Sequence, residues 1–190
     1  EAKLQLLNKT IENVEKVLVS GGSASNTITS IAKLGIDTGF LGKIGKDEYG
    51  NYYKKDLEKY GVKSHLSEVD YASGVATTFV SKDGERTFGT YLGAAADLKP
   101  EDLNEEVFKN YHYFYIEGYL VQNLSLIKQA LKMAKQSGLK IALDLASYNV
   151  VEDNKDFLLE IIPEYIDILF ANRTEIKALL DVSPEEALPI

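Results

Sequence analysis

The stretch Gly21-Gly22-Ser23-Ala24-Ser25-Asn26 lies between a short apolar run at residues 17–19 and an apolar stripe at helical spacing. That stripe continues to Gly35, a residue type that commonly follows the last turn of a helix. The two glycines are therefore predicted at a helix N-terminus, where the backbone can approach a ligand and free N–H groups point at it. Asn26 would project from the first turn and offer a donor and an acceptor, which suits a polyhydroxylated ligand.

The same stretch also has a purely structural interpretation. Gly21-Gly22 can form a simple turn while Ser23 or Ser25 caps the helix, and the spacing alone slightly favours this. The stretch is not a Walker A loop, because no Lys-Ser/Thr pair follows, and it does not match G-x-G-x-x-G.

Outward from this stretch, strand-like and helical patterns alternate along the chain. Strands are predicted over residues 38–44, 111–116, 139–145 and 167–171, and helices over 2–15, 47–60, 124–137 and 155–162. This alternation predicts an α/β fold with a mainly parallel sheet and helices on both faces.

Residues 62–93 break the alternation, because two strand-like segments flank Asp83-Gly84, a hairpin turn sequence. We expect an α/β core formed by residues 1–61 and 94–190, with 62–93 inserted as a small antiparallel β lid. The chain begins with Glu1 and stops just after a helical pattern, so both ends of the core are expected to be cut.

Composition limits the classes of function. With 29 acidic and 21 basic residues the net charge is -8, which argues against a nucleic-acid partner. The sequence has no Cys and two His, which excludes a disulfide framework and disfavours a His-based metal site. The sequence shows no apolar run long enough to span a bilayer, so we expect no membrane partner. The absence of Cys fits a reducing compartment, and we expect a cytoplasmic protein.

Asn172 and Glu175 lie where a predicted parallel strand gives way to a helix, at the edge where open α/β sheets bind ligands. An amide and a carboxylate three residues apart could together reach phosphate or hydrated Mg²⁺, which often keeps its waters. Alternatively, Asn172 is a helix cap and Glu175 its capping-box partner, which the residues by themselves favour.

Glu117 and Asp144 each stand near the end of a predicted buried strand, where a carboxylate could bind sugar hydroxyls. Each could equally be a loop acid or a helix cap, and for Asp144 alone that alternative is favoured. Tyr119 could stack on a ligand ring or merely cover the core edge.

Together these pieces resemble the ribokinase-like superfamily, the PfkB carbohydrate kinases, with the adenosine kinase branch looking most similar. The resemblance runs along nearly the whole chain, in the order of the family's N-terminal and central part. Besides the stretch at residues 21–27, it is carried by these segments: residues 41–47 (LGKIGKD), 84–87 (GERT), 91–94 (YLGA), 115–119 (YIEGY) and 170–175 (FANRTE).

The resemblance implies a role for each matching residue. The sugar or nucleoside would be bound by Gly22, Ser23, Asn26, Leu92, Ala94, Glu117 and Tyr119. Asn172 and Glu175 would organise Mg²⁺ and the ATP phosphates, with Glu175 reaching the metal through water. ATP and Mg²⁺ are thus the implied cofactors, and the implied reaction transfers the γ-phosphoryl group to a primary hydroxyl.

The sequence also departs from the family pattern. The motif D-T-x-G-A-G-D, with the Asp that accepts the hydroxyl proton, is absent from these 190 residues, as is the family's first strand. We therefore expect no catalytic residue in this chain and an inactive fragment. Arg173 stands where the adenosine kinase branch frequently has an acidic residue.

Two other hypotheses stay open. One is a non-catalytic sugar- or nucleoside-binding or regulatory protein that lacks the ATP half, and the other is a generic α/β domain whose motifs are only helix caps. The resemblance leaves the oligomeric state open between a monomer and a homodimer paired through the lid.

Overall fold

The computed structural model describes residues 17–182 together with residues 5, 9, 12 and 186. The helix expected over residues 2–15 therefore lies outside the described residues, apart from these three isolated positions. The chain divides into two compact units, Glu1–Leu98 and Lys99–Ile190. No described helix is both long and apolar enough to cross a bilayer.

The first unit contains a two-stranded parallel sheet with its connecting helix. Helix α1 (Ser23–Lys33) precedes β1 (Gly39–Gly45), and α2 (Glu48–Lys59) connects β1 to β2 (Lys63–Val69). Strands β1 and β2 pair in parallel over all seven positions, from Gly39 with Lys63 to Gly45 with Val69. The crossover is the strand–helix–strand connection that parallel pairing requires.

An antiparallel hairpin follows in the same unit. Strand β3 (Val75–Val80) pairs with β4 (Arg86–Tyr91), and the 3₁₀ helix Gly93–Asp97 comes directly after it. The hairpin predicted around Asp83-Gly84 is therefore confirmed. Both strands are largely exposed, including Val80 and Phe88.

The second unit is a three-stranded parallel sheet with helices. It contains, in order, the 3₁₀ helix Pro100–Asp102, α3 (Glu105–Phe108), β5 (Tyr113–Glu117), the 3₁₀ helix Gly118–Gln122, α4 (Leu124–Gln136), β6 (Lys140–Asp144), α5 (Tyr148–Asp153), α6 (Lys155–Tyr165), β7 (Ile168–Phe170) and α7 (Arg173–Leu180). The strands are ordered β5-β6-β7, all parallel. Each connection between neighbouring strands contains at least one helix, which is the long crossover that parallel pairing requires.

The core of the second unit lies around β6 and α4. The fully buried side chains there include Leu131 and Ala134 of α4 and Ile141, Leu143 and Leu145 on or just after β6. Central strands buried on both faces read as continuous apolar runs, which is why residues 139–145 were recognisable as a strand.

The structure confirms the predicted α/β class with parallel strands and a small antiparallel sheet, and it adds elements that the patterns did not predict. One such element is helix α5. Another is strand β2, which pairs in parallel with β1. The division into a core of 1–61 and 94–190 with a lid of 62–93 stays a prediction.

Candidate functional site

The glycine turn has the conformation that a close backbone approach requires. Gly22 has φ 97° and ψ 131° at the N-cap position of α1, in a region that side chains with a Cβ rarely adopt. No side-chain cap hydrogen bond is formed at this helix end. Ser23 and Asn26 are exposed beside it. Neither Ser23 nor Ser25 therefore caps α1. The N–H groups at this helix end remain available to a ligand.

Ser25 has a different role from the one expected of it. Its side chain is buried, and its Oγ donates towards the carbonyl oxygens of Gly21 at 2.8 Å and Gly22 at 3.1 Å. Burial raises the pKa of Tyr53 on α2, and hydrogen bonding with Ser25 acts in the opposite direction. Ser25 thus ties the glycine turn to α1. The only sequence signal for this was a serine four residues after a glycine.

Leu92 and Ala94, the other pocket residues predicted in this unit, differ sharply in exposure. Leu92 is 62% exposed, whereas Ala94 is completely buried. The Ala94 N–H donates to the carbonyl of Ala72 at 2.9 Å, which joins the segments before and after the hairpin. Leu92 can meet a ligand directly, and Ala94 holds the segment in place.

Asp47 forms a junction that the sequence patterns did not reveal. Its Oδ1 accepts from Gly50 N at 2.8 Å and from Ser73 Oγ at 2.7 Å, and its Oδ2 accepts from Ser73 N at 2.8 Å. Partial burial opposes ionisation, but the hydrogen bonds from Ser73 and Gly50 outweigh it and hold the pKa of Asp47 below its ordinary value. Asp47 is the predicted cap of α2 and also fixes the start of the hairpin segment.

The junction leaves no room for a side chain at Gly45. A Cβ there would lie 2.2 Å from the carbonyl oxygen of Tyr71 and 2.7 Å from Ser73 N. The Gly45 N–H donates to Ser73 Oγ at 2.9 Å. The glycine in the 41–47 motif is therefore explained by the close approach of the backbone before β3.

Glu117 and Asp144 lie side by side in the second unit, at the carboxyl ends of β5 and β6. They are register partners, and Glu117 is buried. Tyr115 Oη donates to Glu117 Oε1 at 2.8 Å, and Ala146 N donates to Asp144 Oδ1 at 2.8 Å. Ala146 has a left-handed φ of 64°, a strained conformation of the kind that clusters at binding sites.

Tyr119 is exposed in the 3₁₀ helix that follows Glu117. It is 55% exposed, and its two predicted roles, stacking on a ligand ring or covering the core edge, both stay predictions. An exposed aromatic residue two positions beyond the end of a parallel strand is available to stack on a ligand.

Asn172 and Glu175 form a complete capping box at α7. Asn172 Oδ1 accepts from Thr174 N at 2.9 Å and Glu175 N at 3.0 Å, while Glu175 Oε2 accepts from Asn172 N at 2.8 Å. Asn172 Nδ2 also donates to Glu175 Oε1 at 2.6 Å. The capping interpretation is correct, and it fixes a buried carboxylate at the strand–helix boundary.

Two of the predicted groups of site residues are local in the sequence. Gly22, Ser23 and Asn26 share one turn, and Asn172 contacts Glu175 directly. Among the described residues, no group of three or more His, Cys, Asp or Glu side chains could hold a metal ion. A magnesium ion bound here would rely on water and phosphate oxygens, as Mg²⁺ commonly does.

The chain matches the pfkB family carbohydrate kinase over residues 3–189. It belongs to the PfkB family of carbohydrate kinases. The family resemblance expected from the motifs is confirmed, and this match explains why the glycine turn and the Asn172–Glu175 box occur together, about 150 residues apart in the sequence.

Both fructokinases and adenosine kinases are among its relatives. It is 35% identical over 136 residues to a probable fructokinase-5 of Arabidopsis thaliana, covering 68% of this chain and 40% of the relative. It is 27% identical over 188 residues to the adenosine kinase of Saccharomyces cerevisiae, covering 95% of this chain and 54% of the relative.

The fold is shared with a solved adenosine kinase. The crystal structure of adenosine kinase from Sinorhizobium meliloti superposes with a TM-score of 0.84 at 31% identity, covering 98% of this chain and 58% of that one. This confirms the ribokinase-like fold, incomplete relative to the solved chain. The PfkB chain described here spans between 40% and 58% of the length of these three proteins.

Proposed function

We propose that the protein containing this chain is an ATP-dependent kinase that transfers the γ-phosphoryl group to a primary hydroxyl of a sugar or nucleoside. The observation that carries the proposal is the family match along residues 3–189, which includes the uncapped glycine turn before α1. Phosphoryl transfer depends mainly on positioning and charge neutralisation, so a rigid binding turn fits this reaction.

Residues proposed to bind the acceptor occur in each of the two units. Gly22, Ser23 and Asn26 present exposed backbone and side-chain polar groups suited to hydroxyls. Leu92 in the first unit and Tyr119 in the second each expose apolar surface that could contact a ring. The buried Ala94 fixes the segment after Leu92 through its N–H bond to the Ala72 carbonyl. Glu117, held by Tyr115, would accept from a hydroxyl.

Asn172 and Glu175 are the residues proposed to organise ATP and magnesium. Glu175 is buried, and each of its carboxylate oxygens accepts a bond from Asn172, which leaves further lone pairs for water. Such an arrangement would reach Mg²⁺ through water. When bound, Mg²⁺ would neutralise phosphate charge.

The test is a phosphotransfer assay on the full-length protein with MgATP and adenosine, ribose or fructose, followed by ³¹P NMR of the product. We expect one acceptor to be phosphorylated at its primary hydroxyl. The absence of turnover with a broad panel of sugars and nucleosides would contradict the proposal. Binding of an acceptor by calorimetry without turnover would instead support a non-catalytic binding or regulatory protein.

A further inference from the structure

A lysine lies buried in the first unit, outside the residues considered so far. The Lys43 side chain on β1 is 6% exposed, and its Nζ donates to the carbonyl oxygen of Asp97 at 2.8 Å. The same ammonium group lies 3.8 Å from Asp97 Oδ2. Lysine is almost never buried unless it is paired, so a specific interaction holds this one.

Asp97 in turn is held from a second direction. Tyr71 Oη donates to Asp97 Oδ2 at 2.5 Å. Tyr71 precedes β3, and Asp97 ends the 3₁₀ helix that follows β4. The cluster of Lys43, Tyr71 and Asp97 therefore joins the segments at both ends of the hairpin to strand β1.

The segment that this cluster holds is the one that carries the pocket residues. Leu92 and Ala94 lie three to five residues before Asp97, and the 3₁₀ helix Gly93–Asp97 packs against β1. Ala94 N donates to the carbonyl of Ala72, so the helix is fixed at both of its ends. The bond between Lys43 and Asp97 thus connects β1 to the 3₁₀ helix that begins one residue after Leu92.

We propose that Lys43 is a positioning residue for the acceptor. Through its bond to Asp97, it fixes the position of Leu92 relative to strand β1. This inference rests on the proposed function. The charge-assisted bond to a backbone carbonyl is stronger than a neutral one and fixes direction as well as distance. Small displacements of a group that positions the substrate have large effects on the reaction rate.

The variant that tests this is Lys43→Met in the full-length protein. Removing one partner of an ion pair is most costly when the other charge is left buried and unpaired. The Asp97 side chain is 40% exposed and can be solvated by water, so we expect a folded protein. The dissociation constant of the best acceptor among adenosine, ribose and fructose, measured by calorimetry without ATP, should rise about tenfold. The KM for ATP should change less than about twofold, because the substitution is expected to displace only the acceptor-binding segment. A general loss of structure would instead raise the values for both substrates.

The matched control is Lys54→Met, which removes a half-exposed lysine paired with Glu68 at 3.0 Å in the same unit. It should leave acceptor binding unchanged. Lys43→Arg retains the charge and donors and should recover most of the lost affinity. A folded Lys43→Met variant with unchanged acceptor affinity, or with equal losses for acceptor and ATP, would overturn the proposal.

Two further measurements decide the remaining outcomes. If Lys43→Met does not fold, Tyr71→Phe should raise the acceptor dissociation constant about threefold by loosening Asp97, and an unchanged constant would contradict the proposal. If the wild type neither binds nor phosphorylates any acceptor, the proposed function fails. Faster hydrogen exchange at residues 93–97 in Lys43→Met, relative to Lys54→Met, would then still support the tether, and equal exchange would overturn it.

Discussion

At the scale of single residues, two serines of α1 make the same kind of bond in different surroundings. Ser25 is buried and donates to Gly21 O, whereas Ser30 is exposed and donates to Asn26 O at 2.8 Å. Each bond runs from a side chain to the carbonyl four residues earlier. Comparing the two serines therefore separates the effect of the hydrogen bond itself from the effect of its burial beside the glycine turn.

Ser25→Ala should lower the free energy of unfolding by about 1 kcal/mol, because the carbonyls of the glycine turn lose a buried donor. In the full-length protein it should also weaken acceptor binding. Ser30→Ala should change stability by less than about 0.5 kcal/mol and leave binding unchanged. Urea unfolding and calorimetry measure both, and equal effects of the two substitutions would contradict this role of Ser25.

Asp47 makes stability depend on pH in a definite direction. Its pKa is lower in the folded state than its ordinary value of 3.8. Its contribution is therefore complete above that value and is lost as the pH falls through the lower folded-state pKa. Asp47→Asn should lower the free energy of unfolding at pH 7 by about 1–2 kcal/mol, since the cap and a Ser73 bond are impaired.

The same substitution should remove the part of the acid-induced loss that belongs to Asp47, as urea unfolding from pH 7 to pH 2 would measure. The control is Asp70→Asn, which removes an exposed ion pair with Lys46 at 2.6 Å. Surface pairs contribute little, so this variant should unfold like the wild type at pH 7. An acid profile of Asp47→Asn identical in shape to that of the wild type would argue against the assignment.

At the scale of elements, two of the predicted groups of site residues lie at helix N-termini, and these two helix ends are organised in opposite ways. Helix α1 begins at Gly22 with no side-chain cap, which leaves N–H groups free. Helix α7 begins at Asn172 with a full capping box, which satisfies its N–H groups internally. The first end has N–H groups that a ligand could bind, and the second holds the Glu175 carboxylate in a fixed position.

Asn172→Ala distinguishes capping from phosphate organisation. The lost cap should cost about 1 kcal/mol of stability. If Asn172 and Glu175 also organise MgATP, the full-length variant should lose at least about tenfold in kcat/KM for ATP. Asn123→Ala is the control, because Asn123 caps α4 by accepting from Leu126 N at 3.2 Å. A similar stability loss with unchanged activity in both variants would leave Asn172 as a cap alone.

At the scale of the whole molecule, the chain matches only part of its relatives. It spans 40% of the Arabidopsis fructokinase and 58% of the Sinorhizobium adenosine kinase chain. The motif expected to provide the catalytic Asp does not occur in the 190 residues. We therefore predict that the residues that bind the acceptor and the residue that accepts its proton belong to different parts of the proposed enzyme.

The 190-residue chain by itself should form no ADP above background with MgATP and adenosine, ribose or fructose, because the motif expected to supply the proton-accepting Asp does not occur in its sequence. The full-length protein under the same conditions should turn over. A coupled ADP assay compares the two. Turnover by the 190-residue chain would show that the proton acceptor lies within it and would redirect the search to Glu117 and Asp144.

The sequence alone determined the alternation of strands and helices, the hairpin at Asp83-Gly84 and the family. Hydrophobic period and turn residues are local properties, and they survive in a sequence without knowledge of contacts. The capping box at Asn172 was also predictable, because its partners are three residues apart.

Only the tertiary structure decided how the remaining polar groups are used. Asp47 meets Ser73 across 26 residues, and Lys43 meets Asp97 across 54. It also decided that Ser25 turns back to the glycine carbonyls instead of capping α1. Contacts between distant segments, and the direction in which a small side chain points, depend on packing, and packing leaves no periodic trace in the sequence.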